Sequence, residues 1–296
     1  MVCNGGNLGI TTNHQEGTFQ GVGDLTLFYQ TWQPQSPAKA NLIIVHGLGS
    51  HSNTFHSVVT HLVERGYAVY SFDLRGHGRS EGKRGHINRW SEFRGDLREF
   101  LQLVMADSPD RPCFLYGHSL GATIALDYAI RSPQTLSGVI LSALPIGKVG
   151  LSSFKFWIGR ILSSIWPSFA LNTGIDLSAG SRDPAVVTAH AQDPWRHNRG
   201  RARMSTEFFD TLAWLQANVS ELRVPVLMLH GSADRTIPLD PSRAYYQQIT
   251  GQDKQYLEYP GAYHDLHQDL NYLQVLVDVE HWLEQHINSS ALPKKI

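Results

Sequence analysis

Cysteine is almost missing: Cys3 and Cys113 are the only two in 296 residues. One lies in a polar N-terminal stretch and the other in an apolar run, so they offer no disulfide framework and the chain needs no oxidising compartment. An excess of charge of either sign is also missing, with 25 Lys and Arg against 26 Asp and Glu. A near-neutral chain has no electrostatic hold on a polyanion, which argues against nucleic acid as a partner. Charged residues are only 17% and hydrophobic ones 42%, a balance that excludes a disordered chain. No apolar run reaches the roughly eighteen residues of a conventional membrane span. Met1 to Gln15 is rich in Gly, Asn and Thr and lacks a basic segment followed by an apolar one, so no secretory signal is read. The cytoplasm is the expected location.

What the chain does have is strands alternating with helices. Phe19 to Trp32 reads as an opening hairpin, with Leu25, Leu27 and Tyr29 alternating against Thr26, Phe28 and Gln30. Leu42 to Val45, Tyr67 to Phe72, Cys113 to Tyr116, Val139 to Leu141 and Val226 to Leu229 are continuous apolar runs, the mark of strands buried on both faces. Tyr256 to Tyr259 is a weaker one. Helical patterns fall between them: about Thr54 to Arg65, Trp90 to Met105, the stretch after Ser119, and Tyr272 to His286. Strand, helix, strand in succession predicts an α/β fold with a mostly parallel central sheet. The alternation stops between Pro145 and Arg223, where apolar helical stretches replace strands. An insertion of that size predicts a helical cap after the sixth strand, giving a core of residues 1–145 and 223–296 and a cap of 146–222. Its most apolar part, Leu151 to Phe169, carries only Lys155 and Arg160 as charges. That pattern fits a buried cap helix and equally a surface that meets lipid.

The chemistry centres on Gly117-His118-Ser119-Leu120-Gly121, a G-x-S-x-G set between an apolar strand and a helix. In that context Ser119 is the candidate nucleophile, at the tip of a strained turn whose crowding calls for glycine on both sides. A helix-capping serine is the plainer alternative. A nucleophilic serine needs a base, and the base needs an orienting acid. Asp234 follows the Val226 to Leu229 strand and is the candidate acid, with Asp240 as its rival. His264 follows the last strand and is the candidate base. Asp265 is a poor orienter for it, since successive side chains diverge. His264 and His267 have metal-ligand spacing on a helix but no fitting third ligand, so no metal is expected, and no cofactor. Oxyanion donors are expected from the backbone N–H groups of Leu120 and of Leu48, in His46-Gly47-Leu48-Gly49. Gly47 and His118 are expected on the substrate-binding wall. Asp73 to Ser80 is Gly-rich and basic but lacks a phosphate-loop ending, and reads as a structural turn. His51, His56 and His61 fall five apart and read as surface residues.

Taken together, His46 to Gly49, Asp73 to Gly82, Gly117 to Gly121, Gly231 to Arg235, Gly261 to His264, and Ser181-Arg182-Asp183 with Asp193-Pro194 resemble the monoacylglycerol lipases of the α/β-hydrolase superfamily. The resemblance runs from about Thr18 to Gln285. It implies Ser119, Asp234 and His264 as a triad, the Leu48 and Leu120 amides as the oxyanion hole, and a mobile apolar cap that touches membrane to collect a lipid ester. The pattern departs where such lipases usually carry a glutamate after the oxyanion loop and a basic residue shortly beyond, places held here by Ser50 and Thr54. A lysophospholipase or short-chain esterase is the next reading. A small-residue aminopeptidase would need a carboxylate for the substrate ammonium, and Leu151 to Phe169 has none. A non-catalytic ligand-binding member of the fold is the alternative of another class. Acyl-chain preference and oligomeric state stay open.

Overall fold

The computed structural model describes residues 13–147, 160–161, 163–172 and 176–287. The main sheet has eight strands: β1 (Asn13–Gln20), β2 (Thr26–Gln33), β3 (Asn41–Val45), β4 (Ala68–Phe72), β5 (Cys113–His118), β6 (Gly138–Ser142), β9 (Val226–Gly231) and β10 (Lys254–Tyr259). Their order is β1-β2-β4-β3-β5-β6-β9-β10. β1 and β2 form the antiparallel hairpin at one edge, β2 meets β4 antiparallel, and every pairing from β4 to β10 is parallel. Helices α1 (His56–Glu64), α2 (Ser91–Ala106), α3 (Leu120–Arg131), α6 (Leu239–Gln248) and α7 (Tyr272–Ile287) make the connections and cover the faces.

The two-residue period of a strand divides the core. Ile43 and Val45 of β3 point to one face and pack with Leu115, Val139 and Met228 under α2 and α3. Leu42 and Ile44 point to the other and pack with Phe114, Ile140 and Leu227 under α1 and α7. Burial on both sides is why the central strands carry no alternation. α3 sits deepest: Leu120 to Ile130 are buried all round, not on one face as an amphipathic pattern implies.

Between β6 and β9, neighbours in the sheet, the chain leaves it. There α4 (Pro184–Gln192), α5 (Ala202–Ala217) and the short strands β7 (Ala170–Asn172) and β8 (Arg199–Arg201) lie, and among the described residues β7 pairs only with β8. The expected apolar stretch falls largely outside the described residues, including Phe154, Phe156, Trp157 and Ile158. Of its remainder, Ile165 is 79% and Trp166 58% exposed. No helix among the described residues is long and apolar enough to cross a membrane.

Parallel strands bring their C-terminal ends to one edge, where functional loops of open α/β sheets collect. The loops after β3, β5, β9 and β10 all meet there.

Candidate active site

Ser119 follows β5 and precedes α3 with φ 53° and ψ −121°, a region L-residues rarely enter. The glycines on either side are required by contact. A Cβ on Gly117 would lie 2.5 Å from the Gly121 carbonyl oxygen, and one on Gly121 would run into the Val45 and His46 carbonyls. Crowding between the two glycines, expected from the motif, is thus half the reason, and the close approach of β3 is the other half. Leu120 opens α3, so its N–H has no acceptor within the helix.

The loop after β3 turns at Gly47 to Ser50, with the Ser50 N–H on the Gly47 carbonyl at 3.2 Å. It is propped from below. His46 Nδ1 bonds the Gly47 carbonyl at 2.8 Å while its Nε2 accepts the Leu74 N–H at 2.9 Å. Burial pulls the His46 pKa down to about 4, so the ring is a neutral strut. Asp73 accepts the Ser52 and Arg79 N–H groups at 2.7 and 2.8 Å, and Arg75 is buried against Asp96 at 2.6 Å, so the Asp73 to Ser80 stretch is the structural turn expected.

Asp234 Oδ2 lies 2.7 Å from His264 Nδ1, while its Oδ1 accepts the Thr236 and Ile237 N–H groups at 2.7 and 2.9 Å. Burial alone would raise the Asp234 pKa, but the His264 charge and the hydrogen bonds from His230, His264 and Ile237 outweigh it, and the carboxyl is held well below its ordinary range. His264 is the mirror case: burial lowers its pKa, Asp234 raises it, and the net direction is upward. Asp240, the rival acid, has its side chain 90% exposed and leans on Arg243.

Ser119, His264, Gly47, Leu48 and His118 line one cavity with a free volume of about 60 Å³. Besides apolar Leu177, its other walls bring in polar groups: Ser50 and Thr54, whose hydroxyls are 2.8 Å apart, Arg196 from the β6–β9 insertion, Asp265, His267 and Gln268. Arg196 and Gln268 went unread in the sequence. Asp265 indeed does not orient His264; it accepts instead from His118 Nε2 at 2.9 Å. Burial would raise its pKa, but His118, His264 and His267 hold it well below the carboxylate range. His118 thus faces the cavity with one nitrogen already engaged. His267 stacks on Phe55 with ring centroids 4.2 Å apart, and burial pulls its pKa well down. His118, His264 and Asp265 could geometrically gather a cation, but such an ion would compete with His118 for the Asp265 carboxylate.

Two expectations fail. His51 and His61 are not surface residues: each is buried and paired, His51 with Asp193 at 2.7 Å and His61 with Glu280 at 2.8 Å. Only His56 of the three is exposed. The His51 pair, with the His197 N–H on the Gly49 carbonyl at 3.0 Å, ties the insertion to the loop after β3. The Asp265 N–H on the Gly180 carbonyl at 2.7 Å ties it to the loop after β10.

Comparison with known proteins agrees with this architecture. The family described as serine aminopeptidase, S33 (Hydrolase_4) matches residues 36–271. A monoacylglycerol lipase from Mycolicibacterium smegmatis is 31% identical over 94% of this chain and 100% of its own. The crystal structure of the Paleococcus ferrophilus monoacylglycerol lipase superposes with a TM-score of 0.80 at 30% identity, covering 88% of this chain and 99% of that one. A soluble variant of the Saccharomyces cerevisiae monoglyceride lipase, solved with a substrate analog, gives 0.82 at 25% identity over 92% and 94%. The chain therefore belongs to the serine aminopeptidase S33 family of α/β-hydrolases and is a serine hydrolase of the monoacylglycerol-lipase kind.

Proposed function

We propose that the chain hydrolyses monoacylglycerol to fatty acid and glycerol through an acyl-enzyme on Ser119. The observation that carries this reading is the Asp234–His264 pair at 2.7 Å, opening on the same cavity as a serine held at positive φ. His264, neutral and oriented by Asp234, takes the Ser119 proton as Oγ attacks the ester carbonyl. The Leu48 and Leu120 N–H groups receive the developing oxyanion, each worth on the order of 3 kcal/mol. His264 then returns the proton to the leaving alcohol, and a water activated by the same ring frees the acid. Neither metal nor cofactor has a step here.

The relatives named for monoacylglycerol favour that ester, and the Ser50, Thr54 and Gln268 side chains in the cavity suit a small hydroxylated alcohol. Residues 146–222 act as the cap over the core formed by 1–145 and 223–296. The exposure of Ile165 and Trp166 supports contact with lipid on a cytoplasmic membrane face, which would let the substrate enter without full passage through water. An aminopeptidase needs an unengaged carboxylate in the cavity. Asp265 is taken by His118, and Asp176, at the rim, is exposed and bonded to Ser178.

A panel of monoacylglycerols, diacylglycerols, lysophospholipids and aminoacyl anilides tests the assignment. Turnover of monoacylglycerol above diacylglycerol and anilide is expected. Fastest turnover of the anilides would replace the esterase reading with a peptidase one.

A further inference from the structure

The β6–β9 insertion pushes one cation into the reacting cavity. Arg196 lies between α4 and β8 and shares the cavity with Ser119 and His264. Among the described residues no carboxylate comes within ion-pair distance of its guanidinium. Nη1 reaches the Ser50 hydroxyl only at 3.5 Å, and Nε is buried with no partner. The two carboxylates that face it are committed elsewhere. Asp193 holds His51 at 2.7 Å and the Trp195 N–H at 2.8 Å; Asp265 holds His118 at 2.9 Å. Burial lowers the Arg196 pKa against the pull of Asp265 and Asp193, yet a guanidinium does not lose its proton in a protein. A buried, under-bonded positive charge is costly unless something else satisfies it, and this one lines the same cavity as the nucleophile.

We infer that Arg196 is a specificity residue that binds an anionic oxygen group on the alcohol portion of the ester, so that the preferred substrates are esters whose alcohol carries a carboxylate or phosphate near the scissile bond. The alcohol side is indicated because Arg196 reaches toward the Ser50 hydroxyl, itself bonded to Thr54, and faces His267, a polar cluster where an acyl chain would need apolar walls. Arginine suits the task, since its planar donors match carboxylate and phosphate oxygens and such charge-assisted bonds are about twice as strong as neutral ones. The inference rests on the Ser119 esterase reading and moves its preferred alcohol from glycerol itself to one that carries an anionic group.

The test uses three esters with one butanoyl chain: butanoylglycerol, butanoylglycerol phosphate and butanoyl glycolate. The full-length protein should show a kcat/KM at least about tenfold higher for one or both anionic esters than for butanoylglycerol, the size expected of one charged hydrogen bond. Arg196→Gln should bring that ratio near one, chiefly through KM, and Arg196→Lys should keep part of it; thermal melting checks that both variants fold. Preference for the phosphate ester alone, or the glycolate alone, supports the inference and names the source of the anion. A wild-type ratio at or below one, or a ratio that Arg196→Gln leaves in place, overturns it while the esterase reading stands. No turnover of any of the three, with Ser119 refusing a fluorophosphonate, would bring down both.

Discussion

Replacing Asp234 by Asn keeps the shape of the side chain but removes the charge that His264 faces. In the folded protein that carboxylate accepts from His264 at 2.7 Å and from two backbone N–H groups. The Thr236 and Ile237 N–H groups claim Oδ1, so an amide oxygen would take that place and turn its NH₂ toward His264 Nδ1. A donor there favours the tautomer with its proton on Nε2, which cannot accept from Ser119. The loss expected for a wrong tautomer is about four orders of magnitude in kcat, or about 5 kcal/mol of transition-state stabilisation. The pH profile should move as well. His264 must be neutral to act, so activity falls as pH drops through its pKa, and in the native protein Asp234 lifts that pKa above the usual value of about 6.5. Without Asp234 the lowering by burial prevails, so the acid limb of the residual kcat/KM should shift to lower pH. Stopped ester hydrolysis from pH 5 to 9 for Asp234→Asn and Asp240→Asn reads both effects. An Asp234→Asn enzyme within tenfold of wild type, or one whose acid limb stays in place, would refute the reasoning, above all if Asp240→Asn were the inactive one.

Gly121→Ala should cost about 3 kcal/mol or more of stability, because its Cβ meets backbone carbonyls of β3 that cannot rotate away; denaturant melts compare it with wild type. An Ile165→Ser, Trp166→Ser double variant should bind vesicles more weakly by about 2 to 4 kcal/mol, at about 25 cal/mol per Å² of apolar area lost, while a water-soluble short ester is hydrolysed as before. Co-sedimentation and short-ester kinetics on the same protein read the two, and unchanged vesicle binding with a fallen short-ester rate would mean that these residues pack within the protein.

The fold was legible because its signals are local. A strand buried on both faces must be apolar throughout, so Leu42 to Val45 and Val226 to Leu229 announce themselves, and parallel topology then puts Ser119, Asp234 and His264 at the same sheet edge. The polar network was not legible, because its partners are set by topology and not by spacing. Asp265 sits next to His264 in sequence, yet its oxygen turns to His118 on another strand. His51 gives no sign in its surroundings that a carboxylate of the insertion, Asp193, will cover it. Arg196 reads as one arginine among several in a basic stretch until the insertion folds over the loop after β3. The greasy pattern of Leu151 to Phe169 serves a buried helix and a lipid-facing one alike, since hydrophobicity alone does not say which solvent it leaves.

The central claim is that Ser119 is the nucleophile, and mass spectrometry of the protein after reaction with a fluorophosphonate tests it most directly. One phosphonyl group should appear, on the peptide carrying Ser119, and none on the Ser119→Ala variant. Labelling at another residue, or undiminished labelling of Ser119→Ala, would contradict it.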